Sequence, residues 1–287
     1  MRITEIISSE KPILSFEVFP PKTWDNFENV SSAVRTIAGL APAYMSVTYG
    51  AGGGTSEFSV ALASEIKYRY AVPTLSHLTC VSSDRKKIES ELAKLSSNGM
   101  ENILALRGDL PDGLTPSDLP FRYASELITE IKKHGNFCVG GACYPEGHPE
   151  SASAREDIEN LKKKIDAGCE FLTTQMFLDN DIFYNFMFRL RDAGIKVPVI
   201  PGIMPVTTVS SIARISKMSG SLLPKRFIRI VDRFGGNPKA LEQAGIAYAT
   251  EQIIDLYANG VNAVHLYTMN KPSVAAGIKA NLSDILG

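Results

Sequence analysis

The sequence predicts an α/β fold in which strands and helices alternate and close into a (β/α)8 TIM barrel, with an extra helical segment between strands seven and eight. Eight short apolar runs are separated by amphipathic stretches. No G-x-G-x-x-G motif follows the first run, which argues against the alternative of an open doubly wound sheet. No linker or low-complexity segment divides the chain, so residues 1–287 are expected to form a single barrel domain.

The eight predicted strands are short, largely apolar runs, which are typical of parallel strands covered on both faces. They comprise residues 13–19, 43–48, 74–78, 102–106, 137–143, 171–175, 197–203 and 262–267.

The predicted helices carry apolar residues three or four positions apart. Phe58, Leu62 and Ile66 mark one such face, and the last helix carries Val274, Ile278, Leu282 and Ile285. The extra segment, residues 208–258, is expected to form two or three helices broken near Gly220 and at Gly235 and Gly236. Six glycines at predicted helix ends are expected to adopt the left-handed conformation there: Gly39, Gly99, Gly135, Gly168, Gly194 and Gly260.

Composition excludes several classes of partner. The formal net charge of −1 argues against nucleic acid or an anionic membrane as the main partner. The first ten residues are too polar for a signal peptide, and no run reaches the roughly 18 apolar residues of a membrane span. A cytoplasmic protein is therefore expected.

The four cysteines are Cys80, Cys138, Cys143 and Cys169. They form no C-x-x-C pair and have no histidine at metal-binding spacing, so no metal site is expected. Each lies in or beside an apolar run, which favours reduced core cysteines. A reactive thiol or a site for a partner's cluster is the alternative.

In a barrel of this kind, the active site lies at the carboxyl ends of the strands. The polar residues expected there are Glu17, Thr48, His77, Arg107, Asp109, Tyr144, Gln175, Tyr267 and Lys271.

Glu17 and His77 each have a structural and a functional interpretation. Side chains alternate along the first strand, so Glu17 lies on the other face from Phe16 and Val18. If those two residues face the helices, Glu17 points into the barrel. An inward glutamate is either paired in an ion pair or acts as a general acid whose pKa is raised by burial. His77 is either a core histidine or a catalytic one.

Two loops have similar alternatives. The glycine run at residues 50–55 lacks the lysine of a phosphate-binding loop, so a βα loop is the simpler interpretation. After the proline-bounded loop at residues 144–150, a predicted helix carries Asp157, Asn160 and Lys164 on one face. That face is either solvated or a polar ledge for a nucleotide, with Lys163 and Lys164 neutralising its phosphates.

Eight stretches together resemble the bacterial, FAD-containing type of methylenetetrahydrofolate reductase, and they occur in the same order. They are SFEVFPPK at 15–22, SVTYGA at 46–51, HLTC at 77–80, LRGDLP at 106–111, YPEGHPE at 144–150, TQMF at 174–177, PGIMPV at 201–206 and HLYTMN at 265–270.

The resemblance implies a flavoprotein barrel, corresponding to the catalytic part of the family. NADH or NADPH would reduce bound FAD and leave, and 5,10-methylenetetrahydrofolate would then be reduced to 5-methyltetrahydrofolate in a ping-pong cycle. This reaction belongs to one-carbon metabolism and methionine synthesis, and the family suggests a homo-oligomer. A barrel subunit that takes electrons from an iron-sulfur partner would share the flavin residues. A phosphate-binding lyase or aldolase is disfavoured, because no lysine stands at a strand end.

The resemblance also assigns roles. Glu17 matches the general acid, Asp109 an aspartate between flavin and folate that is expected to remain ionised, and Gln175 a pterin contact. The positions that match FAD contacts are Thr48, His77, Arg107, Gly108, Asp109, Tyr123, Ala124, Tyr144, His148, Asp157, Asn160, Lys163 and Lys164.

Three substrate positions depart from the family pattern. Ser211 and Ile215 stand where related enzymes carry a glutamine and a phenylalanine, and Lys271 stands where they carry an arginine. A lysine offers a point charge where arginine offers a bidentate contact, so these residues bear on the ligand pose and on the choice between NADH and NADPH.

Overall fold

The structure, a computed structural model, describes residues 1–49, 56–81, 83–110, 113–212 and 223–287. Its centre is one sheet of nine parallel strands in the order β7-β6-β5-β4-β3-β2-β1-β9-β8. The strands are β1 (Ile13–Val18), β2 (Met45–Val47), β3 (Thr74–Thr79), β4 (Asn102–Leu106), β5 (Cys138–Cys143), β6 (Phe171–Thr174), β7 (Val199–Ile200), β8 (Gly202–Ile203) and β9 (Ala263–Tyr267).

Strands β7 and β8 close the barrel, because only Pro201 lies between them. Strand β7 pairs with β6, and β8 pairs with β9. The proline carbonyl accepts a hydrogen bond from the amide of His265. The two short strands therefore act as one broken seventh strand, and the predicted (β/α)8 barrel is confirmed.

Helices surround the barrel. They are α1 (Ile3–Ile6), α2 (Phe27–Ala38), α3 (Ser56–Arg69), α4 (Arg85–Ser97), α5 (Ala124–Lys133), α6 (Ala154–Asp166), α7 (Asn180–Asp192), α8 (Lys225–Phe234), α9 (Pro238–Ala258), α10 (Pro272–Asn281) and α11 (Ser283–Leu286). None of the described helices has both the length and the apolarity that a membrane crossing requires.

Two apolar layers hold the barrel together. The larger lies between the strands and the helices and includes Phe16 and Val18. The smaller fills the amino-terminal end of the lumen, where Tyr44, Leu104 and Phe171 pack beneath Ile3 of α1. This plug closes the end opposite the expected active site.

The extra helical segment after strand seven is confirmed over its described part. Helices α8 and α9 are separated at Gly235 and Gly236, as predicted. The predicted break at Gly220 and the glycine run at residues 50–55 lie outside the described residues.

The prediction for the helix-end glycines was partly wrong. Gly39 and Gly135 do not have a positive φ, whereas the other four glycines do. In the turn after α2, Ala41 takes the left-handed conformation instead, with a φ of 50°. The turn therefore changes direction two residues later than the glycine suggested.

Candidate active site

Glu17 lies inside the mouth of the barrel, near the carboxyl end of β1. Because Phe16 and Val18 pack against the helices, the pleat turns Ser15 and Glu17 inward, as predicted. Glu17 is only 8% exposed. Its side chain lies beside His77 on β3, whose Nε2 is 3.7 Å from Oε2 of the carboxyl group.

Burial keeps both partners of this contact uncharged at neutral pH. It raises the pKa of Glu17 to about 8 and lowers the pKa of His77 to about 3. The Nε2 atom of His77 makes no hydrogen bond within the described part of the chain. The geometry therefore does not support the structural ion pair, and it leaves a protonated carboxyl group at the barrel mouth.

Below Glu17, the lumen holds a second buried histidine that sequence analysis did not single out. His265 on β9 hydrogen-bonds Ser15 through Nδ1 at 2.7 Å and Ser46 through Nε2 at 2.9 Å. Its ring stacks on Tyr44, with centroids 5.4 Å apart and planes 7° apart. The sequence could have indicated this inward position, because strand alternation places residues 263, 265 and 267 on the same face of the strand.

Tyr267 closes the mouth on the side of β9. Its hydroxyl donates to the carbonyl of Thr174 at 2.6 Å, and burial raises its pKa well above the usual value. A Cβ at Gly202 would collide with this hydroxyl. The close approach of β8 to Tyr267 therefore requires glycine.

Arg107, Gly108 and Asp109 follow β4, where the sequence placed them. The guanidinium of Arg107 forms a bidentate ion pair with Glu150, at 2.5 and 2.6 Å, which raises the pKa of Arg107. Gly108 has a φ of +90°, and a Cβ there would lie 2.8 Å from Cγ1 of Val81. Asp109 is exposed. Glu150 belongs to the proline-bounded loop at residues 144–150, and its pairing with Arg107 was not predicted.

The loop after β5 presents two aromatic side chains. Tyr144 and His148 meet edge to face with ring centroids 4.5 Å apart. Burial lowers the pKa of His148, and Nδ1 of its ring accepts a hydrogen bond from the amide of Glu150 at 3.1 Å. The ring therefore stays neutral near pH 7 and helps to shape the loop.

Helix α6 carries Asp157, Asn160, Lys163 and Lys164, for which a polar ledge was one interpretation. Asp157 is buried, which raises its pKa, and it accepts a hydrogen bond from Ser151 at 3.3 Å. Lys163 is exposed and donates to Asn160 at 3.0 Å. Lys164 turns instead toward β5 and donates to the carbonyl of Ala142 at 2.7 Å, and burial lowers its pKa. Lys163 is thus the more accessible cation of the pair.

The remaining predicted cofactor residues lie at the ends of elements. Tyr123 precedes the first residue of α5 and is exposed, while Ala124 opens that helix and is buried. Thr48 follows β2 and is partly buried, and its carbonyl accepts a hydrogen bond from Ser59 at 3.0 Å.

Three of the predicted substrate residues, Gln175, Ser211 and Lys271, come after strands β6, β8 and β9. Gln175 follows β6 and accepts a hydrogen bond from the amide of Met176 at 2.9 Å. Lys271 donates to the buried hydroxyl of Thr207 at 2.9 Å. The Ser211 hydroxyl bonds that of Thr208 at 2.6 Å, whereas Ile215 lies outside the described residues.

All four cysteines are buried and free, which confirms the prediction of reduced core thiols. Away from the mouth, ligand atoms of Glu89, Glu130 and His134 lie within 4.8 Å of one another. Arg85 and Lys133 already pair with Glu130, which compensates its charge. The buried carboxylate of this cluster is therefore already paired with two cations.

Comparisons with known proteins bear on the family and the fold of the chain. The family model described as methylenetetrahydrofolate reductase matches residues 2–283. The 5,10-methylenetetrahydrofolate reductase of Escherichia coli is 34% identical over 265 residues, which cover 92% of this chain and 88% of that protein. Methylenetetrahydrofolate reductase (NADH) 1 of Arabidopsis thaliana is 35% identical over 98% of this chain but only 50% of its own length. The chain thus spans about half the length of its plant relative.

Among solved structures, an uncharacterised Clostridium thermocellum protein that binds two copies of 5-methyl-5,6,7,8-tetrahydrofolic acid has a TM-score of 0.67. It is 13% identical, and the match covers 99% of both chains. At this identity, the likeness supports the barrel fold alone. The family match and the identity to the bacterial reductase establish the relationship: the chain belongs to the methylenetetrahydrofolate reductase family.

Proposed function

We propose that the chain reduces 5,10-methylenetetrahydrofolate to 5-methyltetrahydrofolate, with NADH or NADPH as electron donor and FAD as bound carrier, in a ping-pong cycle. We place the reaction in one-carbon metabolism and methionine synthesis. The observation that carries the proposal is Glu17, a buried carboxyl group with a pKa raised to about 8 at the mouth of a barrel of this family.

The residues around the mouth fit an FAD. Lys163 would supply an exposed cation for a diphosphate, with the polar side chain of Asn160 beside it, and Arg107 would contribute its charge on exchanging Glu150 for a phosphate. The buried Nε2 of His77 lacks a hydrogen-bond partner within the described residues and faces the mouth, as expected for a group that meets a ligand. When bound, a flavin supplies hydride transfer between the nicotinamide and the folate.

Glu17 would supply the proton for the folate half of the cycle. Protonation of the folate's five-membered ring opens it and creates the electrophile that accepts a hydride. A general acid works best when its pKa lies near the operating pH, and burial gives Glu17 such a value. The nicotinamide half of the cycle consumes no such proton, so it does not need Glu17.

Asp109 and Gln175 would act on the folate from other sides of the mouth. Asp109 is an exposed carboxylate on the loop after β4, where negative charge favours cationic character on the substrate. Gln175 carries an amide that can donate and accept at once, which suits a pterin edge. Lys271, which Thr207 holds at 2.9 Å, would supply a point charge at the opposite side.

The test is an anaerobic experiment on the purified protein. A yellow protein with a flavin spectrum is expected, and NADH or NADPH alone should bleach it. Addition of methylenetetrahydrofolate should then restore the colour. Bleaching only in the presence of an added iron-sulfur protein would favour the partner-dependent alternative, and a colourless protein that neither binds nor uses flavin would refute the proposal.

Glu17→Gln separates the two halves of the cycle. Folate reduction is expected to fall by about 10² to 10⁴, the usual contribution of a general acid, while flavin bleaching keeps its rate. Equal losses in both halves, or none in either, would remove Glu17 from the role of acid. Single-turnover stopped-flow traces at the flavin absorbance measure both rates.

A further inference from the structure

The turn that follows β9 consists of Thr268, Met269 and Asn270, the end of the HLYTMN stretch, which the proposed reaction does not use. Met269 and Asn270 each have a φ of 54°, so the chain passes through two consecutive left-handed residues before α10 begins. Asparagine adopts this conformation more readily than most residues, whereas methionine adopts it rarely. Contacts outside the turn must therefore stabilise it.

Two side chains of this turn bond directly to the backbone at the end of β1. The last register pair of β1 and β9 is Glu17 with Tyr267. Beyond that pair, the hydroxyl of Thr268 donates to the backbone carbonyl of Glu17 at 2.6 Å. The side-chain amide of Asn270 accepts from the N–H of Phe19 at 2.8 Å and donates to the carbonyl of Phe19 at 2.9 Å. Side chains thus continue the pairing of the two strands where the backbone of β9 turns away.

The backbone atoms determine the donor and the acceptor in each of these bonds. A carbonyl oxygen can only accept, so the hydroxyl of Thr268 must donate to Glu17. An N–H can only donate, so Asn270 must present its oxygen to the amide of Phe19 and its nitrogen to the carbonyl. Thr268 is only 1% exposed, so water has little access to its bond.

The same turn also places Lys271. The backbone amide of Lys271 donates to the carbonyl of Thr268 at 3.0 Å, and its Nζ donates to the hydroxyl of Thr207 at 2.9 Å. Thr268 therefore bonds to the backbone of the proposed acid through its side chain, and to the backbone of the proposed folate-binding cation through its carbonyl. The position of Glu17 relative to Lys271 depends on this one residue.

We propose that Thr268 and Asn270 are positioning residues that clamp the end of β1 and so hold Glu17 where it can protonate the folate. The clamp rests on the proposed function, since its effect on the reaction requires Glu17 to be the proton donor. Both residues act through the backbone of β1 and not on the reacting atoms. A displacement of a catalytic group by about 1 Å can cost roughly 100-fold in rate, so a clamp at the end of this strand has a measurable effect.

The first test measures amide hydrogen exchange by NMR and does not depend on catalysis. The amide of Phe19 donates to the side chain of Asn270, so it should be protected in the wild-type protein and exchange at least about tenfold faster in Asn270→Ala. The amide of Phe16, which donates to the carbonyl of Tyr44, is the control and should keep its rate. An unprotected Phe19 amide in the wild type, or equal acceleration at Phe16 and Phe19, would overturn the clamp.

The second test compares the two halves of the cycle in Thr268→Val, which keeps the shape of the side chain but removes its hydroxyl. Flavin reoxidation by methylenetetrahydrofolate should slow by about 10- to 100-fold, while bleaching by the nicotinamide keeps its rate. Thr268→Ser retains the hydroxyl and should restore most of the lost rate. Thr74→Val is the matched control and should change neither half, because this buried threonine begins β3 and donates to the carbonyl of Val72 at 3.1 Å. Equal losses in both halves of Thr268→Val would overturn the proposal.

A double variant shows whether Thr268 acts through Glu17. Adding Thr268→Val to Glu17→Gln should slow flavin reoxidation no further, because the proton donor that Thr268 positions is already absent. A further loss as large as that of Thr268→Val alone would mean that the threonine acts independently, which would overturn the proposal. If Thr268→Val does not fold, Asn270→Ala, in which only a partly exposed side chain is shortened, gives the same comparison. A wild-type protein that does not reduce the folate would refute the proposed function instead, while the exchange measurement still tests the clamp.

Discussion

Replacing Glu17 by glutamine is expected to make the protein more stable, and more so as the pH rises. Glutamine keeps the size and hydrogen-bonding capacity of the protonated carboxyl group but cannot ionise. Wild-type Glu17 holds its proton to about pH 8 in the folded state, whereas an unfolded glutamate releases it near pH 4.5. Between these two pH values, the wild-type protein must therefore take up a proton at Glu17 when it folds.

The sign and size of the effect follow from proton linkage. Between pH 4.5 and about 8 the folded state binds more protons than the unfolded state, so the free energy of unfolding falls as the pH rises. The slope is 1.36 kcal/mol per pH unit. Over the whole interval, the contribution of Glu17 amounts to roughly 4 to 5 kcal/mol, all of it present below pH 4.5 and lost above pH 8.

The assay is urea unfolding of wild type and Glu17→Gln, with matched flavin content, at intervals from pH 5 to 8.5. The difference in free energy of unfolding should widen steadily with pH in favour of the variant. Glu10→Gln is the control, because Glu10 is exposed and its replacement should give only a small difference. Parallel curves for wild type and Glu17→Gln would show that the carboxyl group is ionised in the folded protein at neutral pH.

Three further substitutions test the mouth of the barrel. Asp109→Asn should raise the flavin reduction potential and slow folate reduction, because it removes negative charge near the developing anion; a redox titration without a shift would contradict this role. Gly108→Ala should lower stability by about 1 to 3 kcal/mol and reduce flavin content, because φ at this position is +90° and the new methyl group would collide with Val81. Thermal melts measure the loss of stability, and the ratio of flavin to protein absorbance measures the flavin content. Gly202→Ala should destabilise by about the same amount and displace Tyr267, which a melt and near-ultraviolet circular dichroism would detect.

The barrel could be predicted because its strands are covered on both faces. Such strands appear as continuous apolar runs, and the fourth, Asn102–Leu106, was predicted residue for residue. The helix at Ile3–Ile6 was missed, although Ile3, Ile6 and Ile7 follow helical spacing, because one turn of helix is too short to leave a periodic pattern. It is stabilised by tertiary contacts, among them the bond from its first amide to Asn102 at 2.9 Å.

The candidate site, like the fold, could be predicted from the sequence only in part. Strand alternation was sufficient to aim Glu17 and His77 into the lumen. The pairing of Arg107 with Glu150 could not be read from the sequence, because it joins loops 43 residues apart whose approach depends on the barrel. The hydrogen bonds of His265 to its two serines depend on the register between three strands, which local patterns do not determine.

The chemistry of the mouth depends on a lumen that is polar but uncharged. Glu17, His77 and His265 are all buried, and burial favours the neutral form of each. A single cation among them would attract a carboxylate and lower the pKa of Glu17, leaving no proton to donate at neutral pH. Hydroxyl groups and neutral imidazoles fill this space without that effect. The same absence of charge makes the ionised acid costly, so the stability lost above pH 4.5 is a direct consequence of holding a proton donor in this position.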